Sequence, residues 1–175
     1  MNGKAIVGTL GTALVLGMGF AALASGQASI PGIKTTTQGP AVKDKVTMTD
    51  AQWKAKLTPV QYNILREAGT EAPYASKLLD VHVPGTFVSA ATGQPLFRTS
   101  DKFDSGTGWP SFVKPIAPDA VWYRVDNSLG MARIEVLSSR DNGHLGHLFN
   151  DGPANRGGLR YCMNGGALKF VPDKK

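Results

Sequence analysis

The sequence predicts a mainly β domain of antiparallel strands introduced by two short helices. Three observations carry this expectation: short β-prone stretches divided by turn residues from Val81 onward, two helix-start signatures between Thr49 and Gln61, and no segment between strands that reads as a crossover helix. Parallel strands need such crossovers, so antiparallel pairing follows. A chain of 175 residues, 42% hydrophobic and 18% charged, suits one folded domain plus a leader.

Residues 1–28 read as that leader. Lys4 gives a positive start, and Ala5 to Ala24 is uncharged and rich in Leu, Val, Ala and Gly. Ala22 with Ala24, or Gly26 with Ala28, fits a small-x-small cleavage site. The apolar run also approaches the length of a membrane span, so residues 5–24 read as a cleaved export signal or as an uncleaved anchor. A buried core helix is the poorer reading, because Gly8, Gly11, Gly17 and Gly19 lower helix propensity and no polar face exists. Either leader implies an exported domain, periplasmic or secreted in a bacterium, with membrane contact only through an uncleaved leader. Residues 29–48 are rich in Pro, Gly, Thr and Lys without apolar periodicity and read as a flexible linker.

The folded domain then spans 49–175. Thr49 with Gln52 and Thr58 with Gln61 each fit a capping box, and Pro59 falls at a first helical position. The second helix is expected to bury Val60, Ile64, Leu65 and Ala68 and to stop at Gly69. Strands are expected over 86–88, 95–98, 121–125, 132–136, 159–164 and 168–171. The formal charge of +6 is scattered, without a basic stripe interleaved with aromatics, which excludes a nucleic-acid partner.

The single cysteine, Cys162, lies in a run that alternates apolar and polar residues. Burying Leu159, Tyr161 and Met163 places Arg160, Cys162 and Asn164 on the opposite face. A lone Cys is commonly a small buried hydrophobe; the alternation and the neighbouring guanidinium, which favours a thiolate, point instead to a reactive thiol. With one Cys, no disulfide forms within the chain. Two further clusters accompany it: Gly106 to Phe112, which contains Trp109, and His144 to Pro153, which contains His144, His147 and Phe149. His144 and His147 with Asp141 or Asp151 could by type hold a metal, but the spacing is a weak motif. The set of thiol, imidazole and amide favours nucleophilic chemistry without a metal. Trp109, between Gly108 and Pro110, reads as a pocket wall.

These clusters, together with Leu57-Thr58-Pro59, Gln61-Tyr62, Arg66 to Glu71, Pro95-Leu96-Phe97, Lys102 to Phe112, Asp126 to Met131 and Gly158 to Asn164, resemble the methionine sulfoxide reductase B family in order across Leu57 to Pro172. The resemblance implies a core of two antiparallel sheets and reduction of the R epimer of methionine sulfoxide in proteins and peptides. By position it implies Cys162 as nucleophile, His147 as proton donor, His144 and Asn164 as holders of water or the sulfoxide oxygen, and Arg160 as stabiliser of the thiolate. Trp109 would receive the methyl group on sulfur and Phe149 would close the apolar wall.

Two departures stand out. Many members hold zinc with two Cys-x-x-Cys pairs, and the matching positions here are Ser89, Thr92, Ser138 and Asp141. Many also recycle through a second cysteine, at the place of Thr107. The expectation is therefore no metal, no cofactor, and a thioredoxin-like, glutaredoxin-like or small external thiol as reductant. A protein that holds oxidised methionine without turnover, and a Cys-His-Asn thiol hydrolase, are the alternatives that use the same residue types.

Overall fold

Each helix begins where its cap can satisfy free backbone N–H groups. In the computed structural model, which describes residues 28–174, α1 (Asp50–Lys56) and α2 (Pro59–Glu67) both start with complete capping boxes, the threonine accepting from the glutamine N–H and the glutamine side chain accepting in return. The leader expected over 1–28 lies, apart from Ala28, outside the described residues, and no described helix is long and apolar enough to cross a membrane.

α2 buries Ile64 and Leu65 against the domain. Val60, expected inside, is 62% exposed, and Ala68 is exposed as well. The helix touches the sheet and the 165–167 turn along one short stripe, and both residues stand at its ends. The helix ends at Ala68 rather than Gly69: Ala68 takes the left-handed conformation (φ 55°), and at Gly69 a Cβ would lie 2.0 Å from Asn63 Oδ1.

Among the described residues nine strands follow: β1 (Gly85–Ser89), β2 (Pro95–Arg98), β3 (Lys102–Phe103), β4 (Ser111–Phe112), β5 (Val121–Asp126), β6 (Arg133–Ser138), β7 (His144–Phe149), β8 (Arg160–Met163) and β9 (Leu168–Pro172). They form two antiparallel sheets, ordered β2-β1-β9 and β3-β4-β8-β7-β6-β5, so the fold is mainly β as expected. All six expected strands are present, β2 with the expected bounds and the other five with slightly different ones; β3, β4 and β7 are additional.

The core lies between the sheets. Phe97 of β2 stacks on Phe112 of β4 with ring centroids 4.4 Å apart, and Phe87 of β1 meets Phe112 edge-on at 4.9 Å. Leu96, Ile134, Val136, Leu148, Tyr161 and Met163 complete the buried layer.

Residues 29–48 have no helix or extended strand, but they do not run free of the domain as a flexible linker would. Ile30, Ile33, Val46 and Met48 pack against the core, Thr36 N–H donates to Tyr123 O, and Lys45 Nζ donates to Ser139 O at 2.9 Å. The bridge from Thr35 to Tyr123 covers part of β5, the edge strand of the larger sheet, which would otherwise expose unpaired backbone groups.

The four positions that the resemblance sets against zinc-binding cysteines converge at one seam. Asp141, in the β6–β7 turn and 3% exposed, accepts from Ser89 Oγ (3.3 Å), Thr92 Oγ1 (3.0 Å) and Gly143 N–H (2.6 Å). Ser138 donates to Gln94 Oε1 at 2.8 Å. One carboxylate thereby ties the β1–β2 turn to the β6–β7 turn, one from each sheet. Replacing it leaves buried donors unpaired, so Asp141→Ala should lower unfolding free energy by about 1–3 kcal/mol. Urea titration reads this as a lower midpoint at unchanged slope; an unchanged midpoint would show that the seam contributes nothing.

Candidate active site

A row of directly paired residues crosses the larger sheet: Phe103, Ser111, Cys162, His147, Glu135 and Arg124. Paired residues in a sheet share a face, so register alone brings the thiol beside an imidazole, and the imidazole beside a carboxylate. His144 joins them through an irregularity. Three residues apart on a regular strand, His144 and His147 would face opposite sides; Leu145 is the extra residue of a bulge between Val136 and Leu137, and His144 returns to the His147 side. The two rings then sit 5.3 Å apart. Gly146 closes the bulge against β8, where a Cβ would lie 2.1 Å from the Cys162 carbonyl oxygen.

Above this row lies a cleft of about 140 Å³ whose lining includes Trp109, Arg133, His147, Phe149, Cys162 and Asn164. Five of the seven sequence-derived candidates therefore meet there. His144 and Arg160 do not line it. His144 is 3% exposed, bonded through Nδ1 to Glu135 Oε1 at 2.8 Å, with Nε2 buried and unpartnered. Arg160 is held by two 2.8 Å bonds to Asp151, its guanidinium 4.2 Å from the Phe149 ring centre. From there it braces an apolar wall of the cleft as well as lending charge to the thiol.

The alternation of β8 is as expected, with Tyr161 and Met163 in the core and Cys162 half-buried on the other face. Asn164 lines the cleft and is also tied to the backbone on both sides. Its Oδ1 accepts from Glu71 N–H (3.1 Å) and its Nδ2 donates to Leu145 O (3.3 Å), so its polar atoms hold the backbone. Glu71 is fixed further by its carboxylate, which accepts from Gly165 and Gly166 N–H, and its carbonyl accepts from Trp109 Nε1 at 3.1 Å. The chain Asn164 to Glu71 to Trp109 sets the position of the indole.

The thiol is surrounded by hydroxyls. Thr107 Oγ1 lies 3.8 Å from Cys162 Sγ, and Ser105 links Thr107 (2.8 Å) to Ser111 (2.7 Å). Burial pushes the Cys162 thiol up from its ordinary value, and the Thr107 hydrogen bond, the Arg160 charge and Ser111 only partly offset it. Arg160 acts in favour of the thiolate, but burial outweighs it and the thiol is the resting form. His147 goes the other way: burial lowers it below its ordinary value despite the Asp126 hydrogen bond, so it is neutral at pH 7. A protonated thiol beside a neutral imidazole is a pair that can pass one proton.

The sequence reading missed Glu71, Thr107, Asp126, Arg133 and Glu135 as contributors to the site. Glu135, a carboxylate between Ile134 and Val136 in an otherwise apolar strand, was the available signal. Among the described residues no group of three or more His, Cys, Asp or Glu side chains is arranged to hold a metal. Because the Thr107 hydroxyl favours the thiolate, Thr107→Val should move Cys162 titration further to the alkaline side. The pH dependence of alkylation by iodoacetamide measures this, and an unchanged or more acidic profile would remove Thr107 from the account.

The family model described as SelR domain matches residues 57–172. A relative, the peptide methionine sulfoxide reductase MsrB of Thiobacillus denitrificans, is 54% identical over 124 residues, which cover 71% of this chain and 93% of that protein. The ordered motifs, the two-sheet fold and these matches agree, and the chain belongs to the SelR-domain family of methionine sulfoxide reductase B proteins.

Proposed function

We propose that this chain reduces the R epimer of methionine sulfoxide in proteins and peptides to methionine, with Cys162 as nucleophile and an external thiol as reductant. The supporting observation is the cleft itself, which sets the Trp109 and Phe149 rings beside a thiol paired in register with an imidazole. Such a site suits a substrate with an apolar methyl next to a strongly polar S=O.

In this reading Cys162 Sγ attacks the sulfoxide sulfur as His147 takes the thiol proton and returns it to the oxygen. An S–S bond forms between Cys162 and the substrate sulfur as the thiol S–H bond breaks. The protonated oxygen then passes to Cys162 Sγ as the S–S bond and the substrate S–O bond break, leaving new S–O and O–H bonds on cysteine. The sulfoxide sulfur gains the two electrons that the cysteine sulfur loses, so methionine leaves and Cys162 becomes a sulfenic acid. Protonation is essential because oxide is a poor leaving group, and a positioned acid contributes about 10²- to 10⁴-fold. Trp109 receives the methyl group, and Phe149, backed by Arg160, forms the other wall.

With no second thiol in the chain, one external thiol condenses with the sulfenic acid, releasing water and forming a mixed disulfide, and a second thiol frees Cys162. A thioredoxin-like or glutaredoxin-like protein or a small thiol fills that part, and no metal or cofactor takes part. The leader read over 1–28 adds that the reaction takes place outside the cytoplasm, in a periplasmic, secreted or membrane-anchored protein.

Incubation with a racemic methionine sulfoxide peptide and dithiothreitol, followed by resolution of the epimers, should show loss of the R form alone. Cys162→Ser should abolish that loss. Consumption of the S form alone would overturn the stereochemical assignment, and binding without consumption would favour a non-catalytic reader of oxidised methionine.

A further inference from the structure

Both histidines of the site are gripped by carboxylates, but at different ring nitrogens. Nε2 of His147 lies 2.8 Å from Asp126 Oδ2, whereas Nδ1 of His144 lies 2.8 Å from Glu135 Oε1. Each carboxylate is fixed in turn by an arginine across the β5–β6 pair. Arg133 donates to Asp126 at 2.7 Å, and Arg124 donates to Glu135 at 2.8 Å. Ser128 N–H adds a bond to Asp126 Oδ1, and Glu135 is 4% exposed at its side chain.

Burial opposes charge on both carboxyls, yet the bonds from Ser128 and His147 and the Arg133 charge hold Asp126 well below the usual carboxylate range. His144 and Arg124 likewise hold Glu135 low. An ionised carboxylate accepts and never donates, so the ring nitrogen facing it carries the proton. In a neutral imidazole the lone pair then sits on the other nitrogen, which is Nδ1 for His147 and the unpartnered Nε2 for His144.

We infer that Asp126 and Glu135 are positioning residues that hold His147 and His144 in opposite tautomers, leaving His147 Nδ1 as the nitrogen that exchanges a proton with the cleft. The consequence for rate rests on the proposed reductase reaction, while the tautomers do not. Asp126 ends β5 and opens the Asp126 to Met131 motif, to which the proposed reaction gives no part. A purely structural account would have Asp126 only tie the end of the β5–β6 hairpin to Arg133.

Long-range proton–nitrogen correlation spectra of the full chain labelled with nitrogen-15 in histidine, recorded where the rings are neutral, read the tautomers directly. Spectra of single histidine substitutions, including His82, assign the signals. The expected result is Nε2–H for His147 and Nδ1–H for His144, with Asp126→Asn mixing or reversing the His147 tautomer and leaving His144 unchanged. In single-turnover reduction, Asp126→Asn should slow the reaction by about 10- to 100-fold, toward the lower end of what a positioned acid or base contributes. In a His147→Gln background the same change should add less than about threefold, because residues acting through one another are not additive.

Nδ1–H on His147 in the unmodified chain would overturn the inference. So would an Asp126→Asn loss of equal size with and without His147, the mark of a structural role. If the unmodified chain reduces no sulfoxide, the reaction proposed above fails while the spectra still decide the tautomers.

Discussion

The site depends on the register between β7 and β8. That register sets His147 opposite Cys162, and the same row continues to Glu135 and Arg124 on one side and Ser111 on the other. A slip of one residue would turn every side chain of one strand to the opposite face and take the thiol away from the imidazole. Gly146 allows the close approach of the two strands, since any side chain there would run into the Cys162 carbonyl. The bulge at Leu145 then adds His144 to the face that already holds His147. A packed core beneath, with Tyr161, Leu148 and Ile134 in the adjacent row, makes slippage costly because those side chains would leave the buried layer.

Reactivity and burial pull against each other at Cys162. The walls that suit a thioether also withdraw water from sulfur, and the resting group is a thiol. In the proposed reaction a neutral His147 supported by an ionised Asp126 answers this, since the charge of a transient imidazolium has a partner already in place. The arrangement keeps the cysteine less open to casual oxidants than a permanent thiolate would be, because thiolate character governs that susceptibility. Trp109 is fixed through a separate chain, Asn164 to Glu71 to the indole, so the apolar wall and the histidine–carboxylate pairs are positioned by different parts of the fold.

The face carrying Cys162 was legible because β8 alternates cleanly, and both helix starts were legible because their capping boxes are local. β7 was not. His144-Leu145-Gly146-His147-Leu148-Phe149 breaks period two at its bulge, so the strand bearing both histidines does not look like one. β3 and β4 are two residues each and too short for any pattern. Residues 29–48 lack periodicity, yet four spaced apolar side chains are enough to lay the segment on the domain. Asn164, Glu71 and Asp126 work through contacts distant in sequence, which composition and spacing do not reveal.

In the proposed reaction Cys162 carries the oxygen after one turnover. Mixing excess protein with an R-sulfoxide peptide, with no reductant present, should convert the peptide fully to methionine and leave an equal amount of Cys162 as sulfenic acid. A 1,3-diketone traps that species as an adduct located by peptide mass spectrometry. Methionine formed without an adduct at Cys162, or no methionine from a folded protein, would contradict the account.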